Sequence, residues 1–261
     1  MANTIWSATD KTAGTTISGG GLVATFSAAS TGVRAIDRQI AGKFYWETTF
    51  TTASASYGTG IAVSDAALAQ LFASSPNAVT VYASGTIWIN GVSLGALLGA
   101  LSAGGVVVGH ALDATGKLYW ARNASAAGNW NGSASANPGG GVGGIPLTGA
   151  LATAALYPAA CGGGSTVVTA NFGDTGFAAA APSGFAAGFT AGAAIPLNVL
   201  GFGLAREAVV TSVGALQVQG LVREAIVAPG VGQNRLLIQG LVREVFVPSA
   251  RAARQYAVTV A

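Results

Sequence analysis

The chain has 261 residues, with 12 Lys and Arg against 9 Asp and Glu, one His and one Cys, for a formal charge of +3. That length suits one domain with an appendage. The basic residues are scattered and form no stripe that could track phosphates, which argues against nucleic-acid binding. A single cysteine, Cys161, excludes an internal disulfide, and no basic neighbour in sequence would activate its thiol. Charged residues make up only 8% of the chain, and much of its 51% hydrophobic content is alanine. Such a composition suits a surface covered by copies of the same chain, and equally translation from a GC-rich genome.

In chain order the elements read as β-structure. Gly42–Glu47 is a strand carrying Phe44, Tyr45 and Trp46. The region from Asp65 to Phe72, capped by Ser64 or Asp65, predicts the one short helix. Ile87–Leu94 predicts a hairpin that turns at Asn90-Gly91. Val107–Asn123 reads as two strands joined by a tight turn, in which Asp113 and Gly116 supply the polar and positive-φ positions. Trp46, Trp88 and Trp120 lie in strand-like runs and are read as core packing rather than ligand platforms. Residues 131–145 are almost wholly Gly, Ser, Ala, Asn and Pro and read as loop. Thr175–Ala205 carries no charge, but Pro182, Pro196 and several glycines break it, so it reads as a linker and not a membrane helix. No basic run precedes an apolar run at the N-terminus, so no signal peptide is expected.

The last seventy or so residues repeat. Leu216–Val227 recurs as Leu236–Val247, and Leu200–Val210 is a degenerate earlier copy, so the Arg-Glu pairs 206/207, 223/224 and 243/244 lie 17 and then 20 residues apart. Each unit reads as a strand, a glycine kink and a second strand. Along a strand Arg223 falls on one face and Glu224 on the other, both among apolar residues. A piece this small cannot easily cover two apolar faces by itself. Packing against neighbouring subunits would cover them, and Arg206, Glu207, Arg223, Glu224, Arg243 and Glu244 are the candidate assembly residues. The alternative is a small intramolecular β-domain with solvated Arg-Glu pairs.

Motifs for catalysis are incomplete. Gly91-Val92-Ser93-Leu94-Gly95 matches the nucleophile-elbow pattern, but Asn90-Gly91 already makes a hairpin turn, and no carboxylate lies between Ser93 and the sole histidine, His110. Gly139–Gly144 contains Gly-x-Gly-x-x-Gly, yet Ile145-Pro146 follows where a phosphate-binding helix would open. The nine carboxylates are scattered, with no closely spaced metal-ligand set. Asp37, Glu47 and Asp65 are the few candidates for paired-carboxylate glycoside hydrolysis. No catalytic residue, metal or cofactor is expected.

The strand Gly42-Lys43-Phe44-Tyr45-Trp46-Glu47, followed by Leu118-Tyr119-Trp120 on a hairpin, resembles the SPRY domain. So do Thr4-Ile5-Trp6-Ser7, Arg34, Gly60–Val63, Trp130-Asn131-Gly132, Asn137-Pro138, Leu156–Ala159 and Val167–Gly173, in that order. The resemblance implies an all-β chain: a SPRY-like antiparallel β-sandwich over residues 1–190, then a smaller C-terminal β-repeat region over 191–261. It also implies a binding module that performs no chemistry. The Val-Arg-Glu repeats resemble the tails of structural proteins of tailed bacteriophages. The combined expectation is a virion fibre, spike or decoration subunit assembled in the bacterial cytoplasm, with no membrane insertion. Its partners would be itself, as a homotrimer, other virion proteins, and a host-surface glycan or protein. Tyr57, Trp130 and Asn131 are the candidate ligand-binding residues, as loop aromatics and their neighbour. A soluble SPRY-type adaptor is the alternative, and a capsule hydrolase a distant third.

Overall fold

The computed structural model describes residues 3–51, 57–70 and 75–190 and, beyond them, six strand segments. The chain divides into two compact units, Met1–Ala191 and Gly192–Ala261. In chain order the first unit holds β1 (Trp6–Lys11), β2 (Thr15–Ser18), β3 (Val23–Phe26), β4 (Thr31–Ala35), β5 (Lys43–Phe50), β6 (Tyr57–Ala62), β7 (Ala78–Tyr82) and β8 (Thr86–Ile89). It continues with β9 (Val92–Ala96), β10 (Val106–Asp113), β11 (Leu118–Asn123), β12 (Ile145–Pro146), a single helical turn α1 (Ala150–Thr153), β13 (Tyr157–Gly162), β14 (Thr166–Asn171) and β15 (Ala186–Ala187). Two sheets result, ordered β1-β4-β13-β6-β7-β8-β9 and β12-β11-β10-β5-β14-β3-β2. Every pairing along both is antiparallel. β15 adds a short parallel partner to β5. The all-β sandwich expected from the sequence is the observed fold.

The strand period of two explains the layers. On β5, Trp46, Thr48 and Phe50 face the other sheet, while Tyr45 and Glu47 face outward. The inner residues join one core with Trp6, Phe26, Ile61, Val79, Val81, Ile87, Leu112, Tyr119, Phe172 and Phe189. Trp6 meets Phe172 edge-on at 5.1 Å, and Trp46 meets Phe189 edge-on at 5.3 Å. Such aromatic pairs add to the area they bury. Trp46 is core as the sequence predicts. Trp120 is equally buried, but in a second cluster on the outer face of the larger sheet. Trp88 is only half-buried.

Two turns test the sequence reading. Asn90 and Gly91 both have positive φ, 50° and 77°, as the Asn-Gly hairpin requires. In the 113–118 turn the left-handed position belongs to Lys117, φ 55°, and not to Gly116. Gly116 is needed for space instead. Its amide donates to Asp113 Oδ1 at 2.6 Å, and a Cβ there would meet the same carboxylate. The helix expected around Asp65–Phe72 is a 3₁₀ turn at Leu68–Gln70, with 71–74 outside the described residues. The linker expected from Thr175 starts too early: Phe185 and Phe189 are buried against the sandwich, so the chain to Thr190 belongs to the first unit.

The second unit holds β16 (Leu197–Leu200), β17 (Ala208–Val210), β18 (Leu216–Gln219), β19 (Val222–Val227), β20 (Leu236–Gln239) and β21 (Val242–Phe246). They form two parallel three-stranded sheets, β16-β18-β20 and β17-β19-β21, so each repeat gives one strand to each sheet. The later copies stack with repeat-equivalent residues in register, Leu216 beside Leu236 and Val222 beside Val242. The first copy begins earlier than the sequence alignment placed it. Leu197 pairs with Leu216, and Leu200 pairs with Gln219 rather than Gln217. The second strand keeps the expected offset, Ala208 beside Ala225. Each copy therefore supplies two strands, with a longer interval between them in the first copy, and the expected glycine kinks lie outside the described residues.

Candidate functional site

The outward face of the larger sheet brings together four of the residues that the sequence singled out: Tyr45, Glu47, Trp120 and Trp130. Glu47 on β5, Gly109 on β10 and Arg122 on β11 lie side by side in one row. Tyr45, Ala111 and Trp120 form the next row. Gly109 leaves the gap between them. A Cβ there would come within 2.8 Å of the Tyr45 hydroxyl and 3.4 Å of the Arg122 stem. Tyr45 Oη donates to Glu47 Oε1 at 2.6 Å. Burial, then the neighbouring carboxylate, pushes the Tyr45 hydroxyl well above its ordinary pKa.

The segment after β14 closes over these rows. The amides of Ala178 and Ala179 donate to the Glu47 carboxylate at 2.8 and 3.0 Å, and Arg122 Nη2 donates to Ala180 O at 3.1 Å. Phe177 meets Tyr45 edge-on at 5.0 Å. Glu47 is therefore a buried clamp for a strap of backbone, satisfied by three donors, and not a catalytic carboxylate.

Trp130 and Asn131 sit beside this clamp on a 3₁₀ turn, Trp130–Gly132. The Arg122 guanidinium lies over the Trp130 ring at 4.5 Å from its centroid. Trp130 is half-buried, with one face taken by Arg122. Asn131 is a fastener. Its Oδ1 accepts from Ala121 N at 2.9 Å, and its Nδ2 donates to Gly143 O at 3.0 Å. Its φ of 48° is a conformation in which Asn is enriched.

Tyr57 does not occupy a loop. It is the first residue of β6 and fully buried, its ring 4.1 Å from Phe50 and its hydroxyl donating to Leu101 O at 3.3 Å. The expectation of an exposed aromatic at 57 is corrected: a tyrosine beside Gly-Thr-Gly is a strand residue pointing into the core. Arg206 and Glu207 lie outside the described residues. Arg223, Glu224, Arg243 and Glu244 lie on β19 and β21.

His110 is fully buried between the sheets. Its ring stacks on Trp46 at 5.0 Å, Nδ1 lies 2.6 Å from Tyr119 Oη, and Nε2 lies 2.9 Å from Thr48 Oγ1. Thr48 donates its own hydroxyl proton to Thr59 at 3.0 Å. Thr59 Oγ1 also lies 3.2 Å from Nε2, so both ring nitrogens have hydroxyl partners. Burial lowers the histidine pKa from 6.5 to about 3. Both ring nitrogens are committed, so His110 is no base for Ser93, whose hydroxyl accepts from Gly95 N on exposed β9. Cys161 is buried and its thiol pKa is pushed up by that burial, so it is no nucleophile. In the 139–144 glycine run, Asn137 caps a 3₁₀ turn and β12 follows, so there is no helix N-terminus for a phosphate. Among the described residues no cluster of His, Cys, Asp or Glu could hold a metal.

Among the described residues, one sheet edge is outward and apolar. β9 ends the smaller sheet, and all five of its residues are exposed. Val92, Leu94 and Leu97 are 61, 39 and 37% accessible. The Trp130 turn abuts this strand's end, because Gly132 packs on the Leu97 backbone with no room for a Cβ. From Ala66 to Leu112 the sequence has no Asp, Glu, Lys or Arg, so the edge lacks the charges that usually blunt one. Sequence reasoning found Trp130 but missed Arg122, its partner. Strand alternation was the available signal, since it puts Trp120 and Arg122 on one face.

No family model and no curated protein matches the chain. Among solved structures it is similar to the SPRY domain of human HERC1, at 14% identity over 63% of this chain and 96% of that one, TM-score 0.48. It is also similar to the TRIM65 PSpry domain, at 14% identity over 65% and 92%, TM-score 0.44. Stonustoxin matches at 13% identity over 65% of this chain and 27% of its own, TM-score 0.45. None of these likenesses carries a ligand or a residue role to this chain.

Proposed function

We propose that the chain is a non-enzymatic structural subunit of a tailed-phage virion, a fibre, spike or decoration protein. The sandwich is its displayed binding module, and the C-terminal repeats assemble or anchor it. One observation carries this reading: three repeats stack in parallel into two sheets of short, mostly apolar strands, the later two with repeat-equivalent residues in register. Parallel sheets are stable when both faces are covered. A unit of this size buries too little of its own surface to do so alone. Copies of the same chain supply the cover, as a cyclic trimer. The virion assignment rests on the resemblance of the Val-Arg-Glu repeats to phage structural tails.

The contact surface of the sandwich is the β9 edge with the adjoining Trp130 turn. A bare backbone edge, exposed leucines and a half-buried Trp–Arg pair suit a host-surface glycan or protein, with avidity across copies multiplying a weak single contact. The test is the solution mass, by light scattering, of the full chain beside a version ending at Gly192. A trimer for the first and a monomer for the second supports the reading. Two monomers would remove the assembly role and favour a soluble adaptor. An antibody against the sandwich that decorates purified phage particles tests the virion half.

A further inference from the structure

The register of the second unit creates a charge problem that points to its partner. Glu224 lies directly beside Glu244 on neighbouring parallel strands, and Val222 beside Val242 places Arg223 beside Arg243. Like charges directly opposite destabilise a sheet. By alternation the Glu row falls on one face of the β19–β21 pair and the Arg row on the other. The second sheet of the unit offers no relief: its strands read Leu-Asn-Val-Leu, Leu-Gln-Val-Gln and Leu-Leu-Ile-Gln, without a charge. Among the described strands of this unit, no charge other than these two rows exists.

We infer that the Arg row of one copy pairs with the Glu row of a second copy of this chain, and that the contact is heterologous. The inference rests on the self-assembly proposed above and adds its symmetry. A two-fold contact sets a face against itself, which would place Arg on Arg or Glu on Glu. Pairing Arg with Glu instead joins opposite faces, head to tail, and such contacts close into rings of three or more or run on as open stacks. The two rows lie one residue apart on each strand, so an offset of about 3.3 Å along the strands brings every Arg in the row against a Glu of the next copy.

The experiment uses the full chain in low-salt buffer, with mass by light scattering. One variant combines Arg223→Glu with Arg243→Glu, a second combines Glu224→Arg with Glu244→Arg, and a third carries all four exchanges. The wild type is expected at three or more copies. Each single-row variant should fall to one copy, and the fourfold exchange should regain the wild-type mass because its rows are complementary again. Tryptophan fluorescence melting, which reports the sandwich, should be the same for all. Single-row variants that keep the wild-type mass, or a fourfold exchange that stays monomeric, overturn the ladder pairing while leaving self-assembly standing. A wild type of two copies overturns the heterologous contact. A monomeric wild type overturns both this inference and the assembly role it rests on.

Discussion

Lowering the pH from 7.5 to 5.0 should destabilise the sandwich through one residue. His110 is the only histidine, fully buried and neutral, with its pKa lowered from 6.5 to about 3 by burial. Because the folded value is depressed, the unfolded chain binds the proton first. The contribution of neutral His110 is fully present above pH 6.5 and is lost as pH falls from there toward 3. With those two values the loss is about 2 kcal/mol at pH 5 and about 4 kcal/mol at pH 3. A domain is typically stable by about 5–15 kcal/mol, so the first figure is measurable and the second could unfold it. Urea unfolding followed by tryptophan fluorescence is the assay, since all five tryptophans lie in the first unit. Most carboxylates titrate below about pH 4.5, which keeps the 7.5-to-5.0 window clear of them. His110→Gln should be less stable at pH 7.5 and should lose most of the pH dependence. An unchanged midpoint for the wild type, or the same slope in His110→Gln, would refute the buried-neutral assignment.

Arg34 is buried, donates to both Asp10 oxygens at 2.8 Å and to the carbonyls of Val63 and Ala66 at 3.2 and 2.7 Å. Arg34→Met strands those carbonyls and should cost about 2–4 kcal/mol, read as a lowered midpoint in urea. Gly109→Ala forces a Cβ against Tyr45 and Arg122 and should cost about 1–3 kcal/mol, with faster proteolysis of the 177–188 segment as the local readout. Asn131→Ala unpins the Trp130 turn; a loss of about 1–2 kcal/mol and a red-shifted emission are expected. Cys161 should resist thiol reagents in the native protein and react fully in urea.

Much of the sandwich was legible through the SPRY-like order of its strand motifs and through a specific Asn-Gly turn. Glu47 was legible as part of a strand signature but not as a clamp, because its donors come from residues 178 and 179, 131 and 132 positions away. No local pattern announces a contact of that range. Tyr57 was misplaced for a related reason: Gly58 and Gly60 look like loop, yet on β6 they are glycine because Cβ atoms would strike Thr80 and the Val79 backbone. Close approach between strands and turn chemistry leave the same residue in the sequence. Lys117 shows the converse, a left-handed position filled by a residue with no turn signature. In the repeats, the offset of 20 was legible from Leu-Val-Arg-Glu itself, while the earlier start of the first copy was hidden by a longer connection.

The two proposed contact surfaces differ in charge, and salt separates their roles. The β9 edge and its surroundings carry no charge over Ala66–Leu112. In the proposed reading, contact there depends on backbone pairing and apolar area, which added sulfate strengthens. In the proposed assembly the second unit sets rows of Arg and Glu on facing copies, and such pairs weaken once the Debye length falls to about 3 Å in molar salt. Raising sodium chloride from 50 mM to 1 M should therefore lower the association state of the full chain while leaving binding through the sandwich edge at its original affinity per copy. The apparent affinity for a multivalent target would still fall, because avidity is lost with the assembly. Mass and binding measured in the same salt series would show both effects. Loss of per-copy binding together with mass would mean that the contact surface spans copies and does not lie on one β9 edge.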